Sequence, residues 1–211
     1  MKAARTAPAA ERNREQTCQR ILGAVGVVLA RDGFAGIGVN AIAKQASVDK
    51  VLIYRYFGGL PELLTTWGRS GSFWPDFNEL LGDDPGRFLA LPAAERYERF
   101  LAHFIDGLRA RPLTLEILAA ELQQRNELTV ILEEQREIWG ERAATLLGGE
   151  EFAQRKELRG LTIVLVAGVQ YLLLRSRTIR IFGGVDLHSD AGWDELKASM
   201  HSMARCLFAA R

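Results

Sequence analysis

The 211-residue chain holds only two cysteines, Cys18 and Cys206, and three histidines, His103, His188 and His201. Two thiols near opposite ends form neither a disulfide framework nor a metal quartet, so buried, reduced thiols in a cytosol are the expectation. No HExxH, paired-Cys motif or Gly-rich phosphate loop occurs, and the histidines are scattered. No catalytic residue, metal site or cofactor is therefore assigned, and an enzyme is not the expected class. A long apolar run is also lacking. The most apolar stretch, Leu161 to Leu174, has 14 residues, whereas a membrane span needs about 20. It reads as a helix buried on most sides. The N-terminal stretch with Arg5, Pro8, Glu11 and Arg12 has no signal-peptide core, which leaves a soluble cytoplasmic protein as the expectation.

Net charge is nearly absent, at +1, yet the charges are unevenly spread. Through residue 60 there are nine basic against four acidic residues; the remainder has eighteen against twenty-two. A basic first quarter suits a polyanionic partner, while the acidic remainder argues against a uniformly basic nucleic-acid coat. No basic amphipathic helix suggests a membrane surface.

What is present is helical periodicity. Residues 1–11 read as a flexible arm. Cys18, Ile21, Leu22, Val25 and Leu29 then keep the 3.6-residue repeat up to a stop at Gly33. Val39, Ile42, Ala43 and Ala46 mark a very short second helix, and Lys50 to Phe57 a third, closed by Gly58-Gly59. Pro61 suits the first turn of a fourth. The Gly/Pro/Asp-rich stretch Pro75–Pro92 predicts a loop. Further apolar faces follow at Tyr97, Phe100, Leu101, Phe104, Ile105 and Leu108, then at Leu115, Leu118, Ala119 and Leu122, then at Leu128, Ile131, Leu132 and Trp139. A long helix is predicted from about Arg155 to Phe182, broken by Gly183-Gly184. The last helix carries Trp193, Leu196, Met200, Met203 and Leu207, a spacing suited to bundle packing. No strand is predicted. The expected fold is all-α, with about nine helices.

The stretch GFAGIGVNAIAKQASVDKVLIYRYFGGLPELL, residues 33–64, carries the most information. Helices as short as these two do not persist alone in water, so neighbours must hold them. The tight turn lets the second protrude, and a major groove admits one helix. Asp49 is placed to cap it. Its outward residues are expected to be Lys50, Val51, Leu52, Tyr54 and Tyr56.

With Ile42-Ala43, Ala46, Val48, Tyr54, Phe57 and Leu63-Leu64 in this order after Gly33-Phe34, residues 12–65 resemble the helix-turn-helix of the TetR (tetracycline repressor) family. The piece FGGVDLHSDAGWDEL is also similar to a junction in many members. The resemblance implies a three-helix DNA-binding domain at 12–58 and a helical ligand-binding and dimerisation domain at 59–211. It implies that Lys50, Val51 and Leu52 face base edges and that Tyr54 and Tyr56 touch phosphates or the groove wall, with Asn40 and Lys44 as further DNA contacts. This sequence departs from the family pattern at Gly38, where a capping Thr or Ser is usual; at Leu60, where a basic residue is common; and at Ser47, where glycine is usual. If Ser47 has positive φ, the strain is on the order of 1 kcal/mol.

The implied function is a transcriptional regulator, a repressor released from a palindromic double-stranded operator by a small-molecule effector. The implied assembly is a homodimer through the last two helices, burying Leu161, Val164, Leu165, Leu172, Leu196, Met200 and Met203. Surplus aromatic surface predicts an effector cavity among the fourth to eighth helices. Its expected walls are Trp67, Phe73, Trp74, Phe77, Phe104, Trp139 and Tyr171, with His103, Gln123, Gln170 and Arg175 as polar contacts. The alternative is a helical dimeric small-molecule binder with weak or lost operator binding, which Gly38 and Leu60 favour.

Overall fold

The computed structural model describes residues 9–70, 73–123 and 125–209. Eleven helices and one two-stranded ribbon are found among them. The first helix, α1 (Ala9–Gly36), bends at Gly33, whose backbone lies at φ 68°. It starts inside the expected arm; residues 1–8 of that arm lie outside the described residues. Its inward stripe, Ile21, Val25, Val28 and Leu29, is fully buried and meets Ile42, Ala43 and Ala46 of α2 (Val39–Ala46) and Ile53 of α3 (Val51–Phe57). Such short helices are held by this shared core rather than by their own hydrogen bonds.

Next comes α4 (Leu60–Gly68), with Pro61 in its first turn. Gly68 permits a close crossing, since a Cβ there would lie 3.0 Å from Ile131. The region expected to be a loop instead forms two five-residue helices, α5 (Phe77–Leu81) and α6 (Pro85–Leu89). Each has its own start signal. Asp76 and Glu79 make a reciprocal capping box, and the Asp84 carboxylate accepts the Arg87 N–H at 2.9 Å. Their buried Leu80, Leu81 and Phe88 anchor them.

The main body is built from α7 (Ala93–Arg109), α8 (Pro112–Gln123), α9 (Glu127–Gln154) and α10 (Lys156–Arg175). The expected face of α7 is buried in full. On α8 the expectation fails in part: Leu122 is 77% exposed, and Thr114, Ile117 and Ala120 are buried instead. The reason is that α8 is enclosed on two sides, by α1 on one and α9 and α10 on the other, so no single stripe describes it. Leu128, Ile131 and Leu132 are buried as expected, on a helix that runs much further than that face.

Two expectations about the chain's end are corrected. The long helix stops at Arg175 rather than near Phe182, and a ribbon of β1 (Ile181–Phe182) and β2 (Val185–Asp186) follows. Gly183 and Gly184, both at positive φ, make its two-residue turn, a conformation that favours glycine. Nor is α10 buried on most sides. Leu158, Leu165, Val169 and Leu173 face inward, while Ile163, Val164 and Tyr171 are exposed. By length and composition α10 is the one helix among the described residues apolar enough to cross a membrane.

The closing helix, α11 (Asp190–Ala209), packs on α7 and on the ribbon. Its start is fixed tightly. A Cβ on Gly192 would overlap the Asp186 carbonyl, and the buried Trp193 donates its indole N–H to the Leu187 carbonyl at 2.9 Å. Asp186 accepts both Arg180 (2.8 Å) and the His188 backbone N–H (2.9 Å), which hold its carboxyl below the usual carboxylate range. Arg177 reaches Glu116 of α8 and Arg180 braces the ribbon.

Candidate nucleic-acid interface and effector cavity

Between α2 and α3 the chain reverses in four residues. Ser47 sits in the left-handed region at φ 53°, ψ 49°. Its N–H donates to the Lys44 carbonyl (3.2 Å) and the Val48 N–H to that of Ala43 (3.0 Å), which closes α2. The strain anticipated at Ser47 is therefore present. At its other end α2 begins on Gly38, whose extended backbone offers no side-chain cap. The Asp49 carboxylate accepts the Val51 N–H at 2.8 Å, starting α3 as the sequence suggested.

Only one residue of α3, Ile53, is fully buried, and it fixes the helix's rotation. The opposite side consequently projects: Val51 is 60% and Tyr54 55% exposed, with Lys50 and Arg55 beside them. Leu52 and Tyr56 are half-buried against the core, so they stand at the flanks rather than on the crest. The Arg14 guanidinium of α1 lies 5.4 Å over the Tyr56 ring. Asn40 and Lys44 are exposed on α2. Arg55 was not singled out from the sequence, although it lies one turn after Val51 and so shares its face.

A cavity of about 420 Å3 lies in the body between α7, α9 and α10. Of the expected wall residues it brings together Trp74, Phe104, Trp139 and Gln170. Trp139 is the hub: Trp74 and Phe77 stack on it at 5.7 and 5.3 Å, and Phe104 lies 5.5 Å away. Phe77 itself stays outside the lining, its ring also facing Arg142 at 4.6 Å. Trp67 and Phe73 follow in a tilted row behind Trp74 (5.4 and 5.8 Å) without lining the cavity, so α4 contributes no wall. His103 stays off the lining as well, and its Nδ1 pairs with the Leu80 carbonyl at 2.7 Å. Gln123 and Arg175 are exposed and line neither this cavity nor its neighbour. Tyr171 lines that neighbouring cavity, of about 440 Å3, which shares Arg136, Ala167 and Gln170 with the first. The sequence missed Phe100, Val166 and Thr162 as walls, because α7 and α10 residues there carry ordinary core spacing. No cluster of metal-ligating side chains occurs among the described residues.

A short protruding helix, pinned through one buried isoleucine within a three-helix head on a long helical body, defines a helix-turn-helix fold. Residues 21–65 match the family model for bacterial regulatory proteins of the tetR family. Solved structures agree in fold. A TetR-like transcriptional regulator from Rhodococcus sp. RHA1 is 22% identical, with a TM-score of 0.59, covering 98% of this chain and 100% of its own. The fatty acid degradation regulator FadR from Bacillus halodurans is 20% identical (TM-score 0.61, 89% and 94% covered). The TetR family transcriptional regulator PfmR from Thermus thermophilus is 16% identical (TM-score 0.53, 88% and 96% covered). No curated protein matches the chain by sequence.

Proposed function

We propose that this protein is a sequence-specific regulator of transcription that reads a palindromic duplex operator as a homodimer and leaves it when a small molecule enters the body. The observation that carries the reading is the exposed crest of α3, Lys50, Val51, Tyr54 and Arg55, on a helix whose only fully buried residue is Ile53. Together with the cations beside them, Val51 and Tyr54 present a mixed apolar and basic face on one rigid turn. Val51 suits a thymine methyl, Lys50 a guanine edge, and the tyrosine hydroxyls and Arg55 the phosphates. Asn40 and Lys44, one helix earlier, add backbone contacts. Residues 12–58 form the reading unit and 59–211 the regulatory one.

Two such heads are needed for useful specificity, spaced about 34–36 Å to meet successive major grooves. The exposed stripe of α10, with Val164 and Tyr171, and Met203 of α11 supply the two-fold seam. Leu165 and Met200 of the expected seam are spent inside their own subunit, and Leu161, Leu172 and Leu196 are half-buried there. A stripe confined to one side of α10 suits a second copy better than lipid, which would contact the whole circumference. Release follows if the ligand binds more tightly to the arrangement whose head spacing does not fit DNA.

Selection of bound duplex from a random pool tests the reading. A palindromic consensus is expected, with Lys50→Ala relaxing a base position and Tyr54→Phe weakening binding uniformly through a lost phosphate bond. Binding should fall steeply with salt. Recovery of no consensus, together with affinity indifferent to salt, would favour the ligand-binding dimer that does not read DNA.

A further inference from the structure

We propose that the effector is an uncharged, mainly apolar molecule bearing a hydrogen-bond acceptor, and that the indole N–H of Trp74 selects it in the α7–α9–α10 cavity. This rests on the effector part of the function proposed above and names the chemistry of its ligand.

The walls argue for an apolar body. Most of the lining is apolar, Phe100, Leu101, Phe104, Ala143, Leu147 and Val166 among it. Charged side chains on it are matched in sign: Arg136 and Arg159 against Glu137 and Glu141. Arg136 is already held by Glu121 and Glu137. Such a lining offers no net field to draw in an ion, and a charge buried among aromatic rings without a partner is strongly disfavoured.

The polar groups then define where the ligand must answer. The Thr162 hydroxyl donates to the Leu158 carbonyl at 2.7 Å and shares a 2.7 Å bond with the Tyr97 hydroxyl, so it is committed. The Trp139 N–H donates to the Pro75 carbonyl at 3.0 Å and is committed too. Trp74 differs. It is only 5% exposed, it lines the cavity, and its indole N–H has no hydrogen-bond partner. A buried N–H left unpaired is a standing penalty that an acceptor removes, whereas an equally shaped ligand without one leaves it in place. The N–H is covered by its neighbours, so pairing requires the indole to turn. That turn has a mechanical outlet: Trp74 abuts Phe73 (5.8 Å), and Phe73 abuts Trp67 of α4 (5.4 Å). The donor that senses the ligand therefore touches the row of rings leading to the helix next to the DNA-reading head.

Calorimetry on the full chain with three probes of one shape tests this: 2-acetylnaphthalene, which has a carbonyl acceptor; 2-isopropenylnaphthalene, its hydrocarbon isostere; and the anion 2-naphthoate. The ketone is expected to bind about five- to tenfold more tightly than the alkene, and naphthoate no more tightly than the ketone. Trp74→Phe should erase the ketone's advantage while keeping the alkene's affinity, and Ala144→Trp should abolish binding of both by filling the cavity. In the native protein, the Trp74 indole proton resonance should move downfield with the ketone and not with the alkene, which gives an answer even if Trp74→Phe does not fold. Equal affinities for ketone and alkene, a ketone advantage that survives Trp74→Phe, or tighter naphthoate binding would overturn the ligand chemistry. Failure of every probe, or binding untouched by Ala144→Trp, would overturn the site. Neither outcome bears on operator selection, which is measured without any ligand.

Discussion

Glu121 on α8 turns one carboxylate oxygen to Arg136 and buries the other without a partner. Burial pushes its carboxyl pKa up; Arg136 pulls it down, and Glu133 and Glu137 push it up again. A carboxyl raised in the folded state contributes stability below its unfolded pKa and loses it as pH rises through the folded value. Glu121→Gln should therefore raise the melting temperature at pH 7–8 by on the order of 2–4 °C, the shift expected for about 1 kcal/mol in a chain of this size. The gain should shrink as pH falls into the carboxylate range. Thermal unfolding at several pH values checks this, and a lower melting temperature throughout would mean that the ion pair outweighs the buried oxygen. Residues such as Glu121 were not legible in the sequence, since its partner Arg136 lies on another helix and its burial depends on both. Lys50, Val51 and Tyr54 were legible, because a strong local pattern set them on a named helix. Leu52 and Tyr56 were placed less well, as a seven-residue helix has too few turns for periodicity to separate crest from flank.

At the scale of elements, the inward face of α7 was read correctly from spacing. The errors cluster where tertiary packing overrides local pattern. The α8 stripe was misassigned because that helix is covered from two directions, and α5 and α6 were read as loop because five residues give no periodicity, although Asp76, Glu79 and Asp84 are start signals. The Gly183-Gly184 pair was read as a helix breaker; in the fold it is a hairpin turn, which only the pairing of Phe182 with Val185 reveals. This ribbon gives Gly192 its meaning. Gly192→Ala should lower the urea midpoint by an amount equivalent to about 1–3 kcal/mol, the usual result of forcing atoms into filled space, with the slope unchanged. An unaltered midpoint would show that α11 can shift away from the Asp186 carbonyl at little cost.

For the whole molecule, fold class and the helix-turn-helix segment were legible because each helix repeats its signal many times and the segment is local. The cavity was half legible: aromatic richness pointed to the right region, but choosing among the rings needs their mutual orientation, and Trp67 and Phe73 turn out to stand behind Trp74 rather than beside it. Assembly has a direct test. Val164 is 66% exposed in the single chain, so Val164→Glu should leave the melting temperature of the isolated subunit nearly unchanged. Light scattering at micromolar concentration should then report a monomer, and palindrome affinity should fall by about 100-fold or more, since only one head engages at a time. A persistent dimer would move the seam off this face.

The corner joining α10 to α11 leaves little give. The His188 ring bonds the Ser176 carbonyl at 2.8 Å, Arg180 grips Asp186, and the Trp193 indole is tied to Leu187. If the proposed seam is mounted on such a bracket, it would behave as a fixed axle. Any swing of the heads in the proposed dimer would then arise at the far side of each subunit, where Gly26 lets α1 lie close to Leu113 and Gly68 lets α4 nestle against Ile131. In the proposed switch, those two bare positions would be the bearings on which the heads turn.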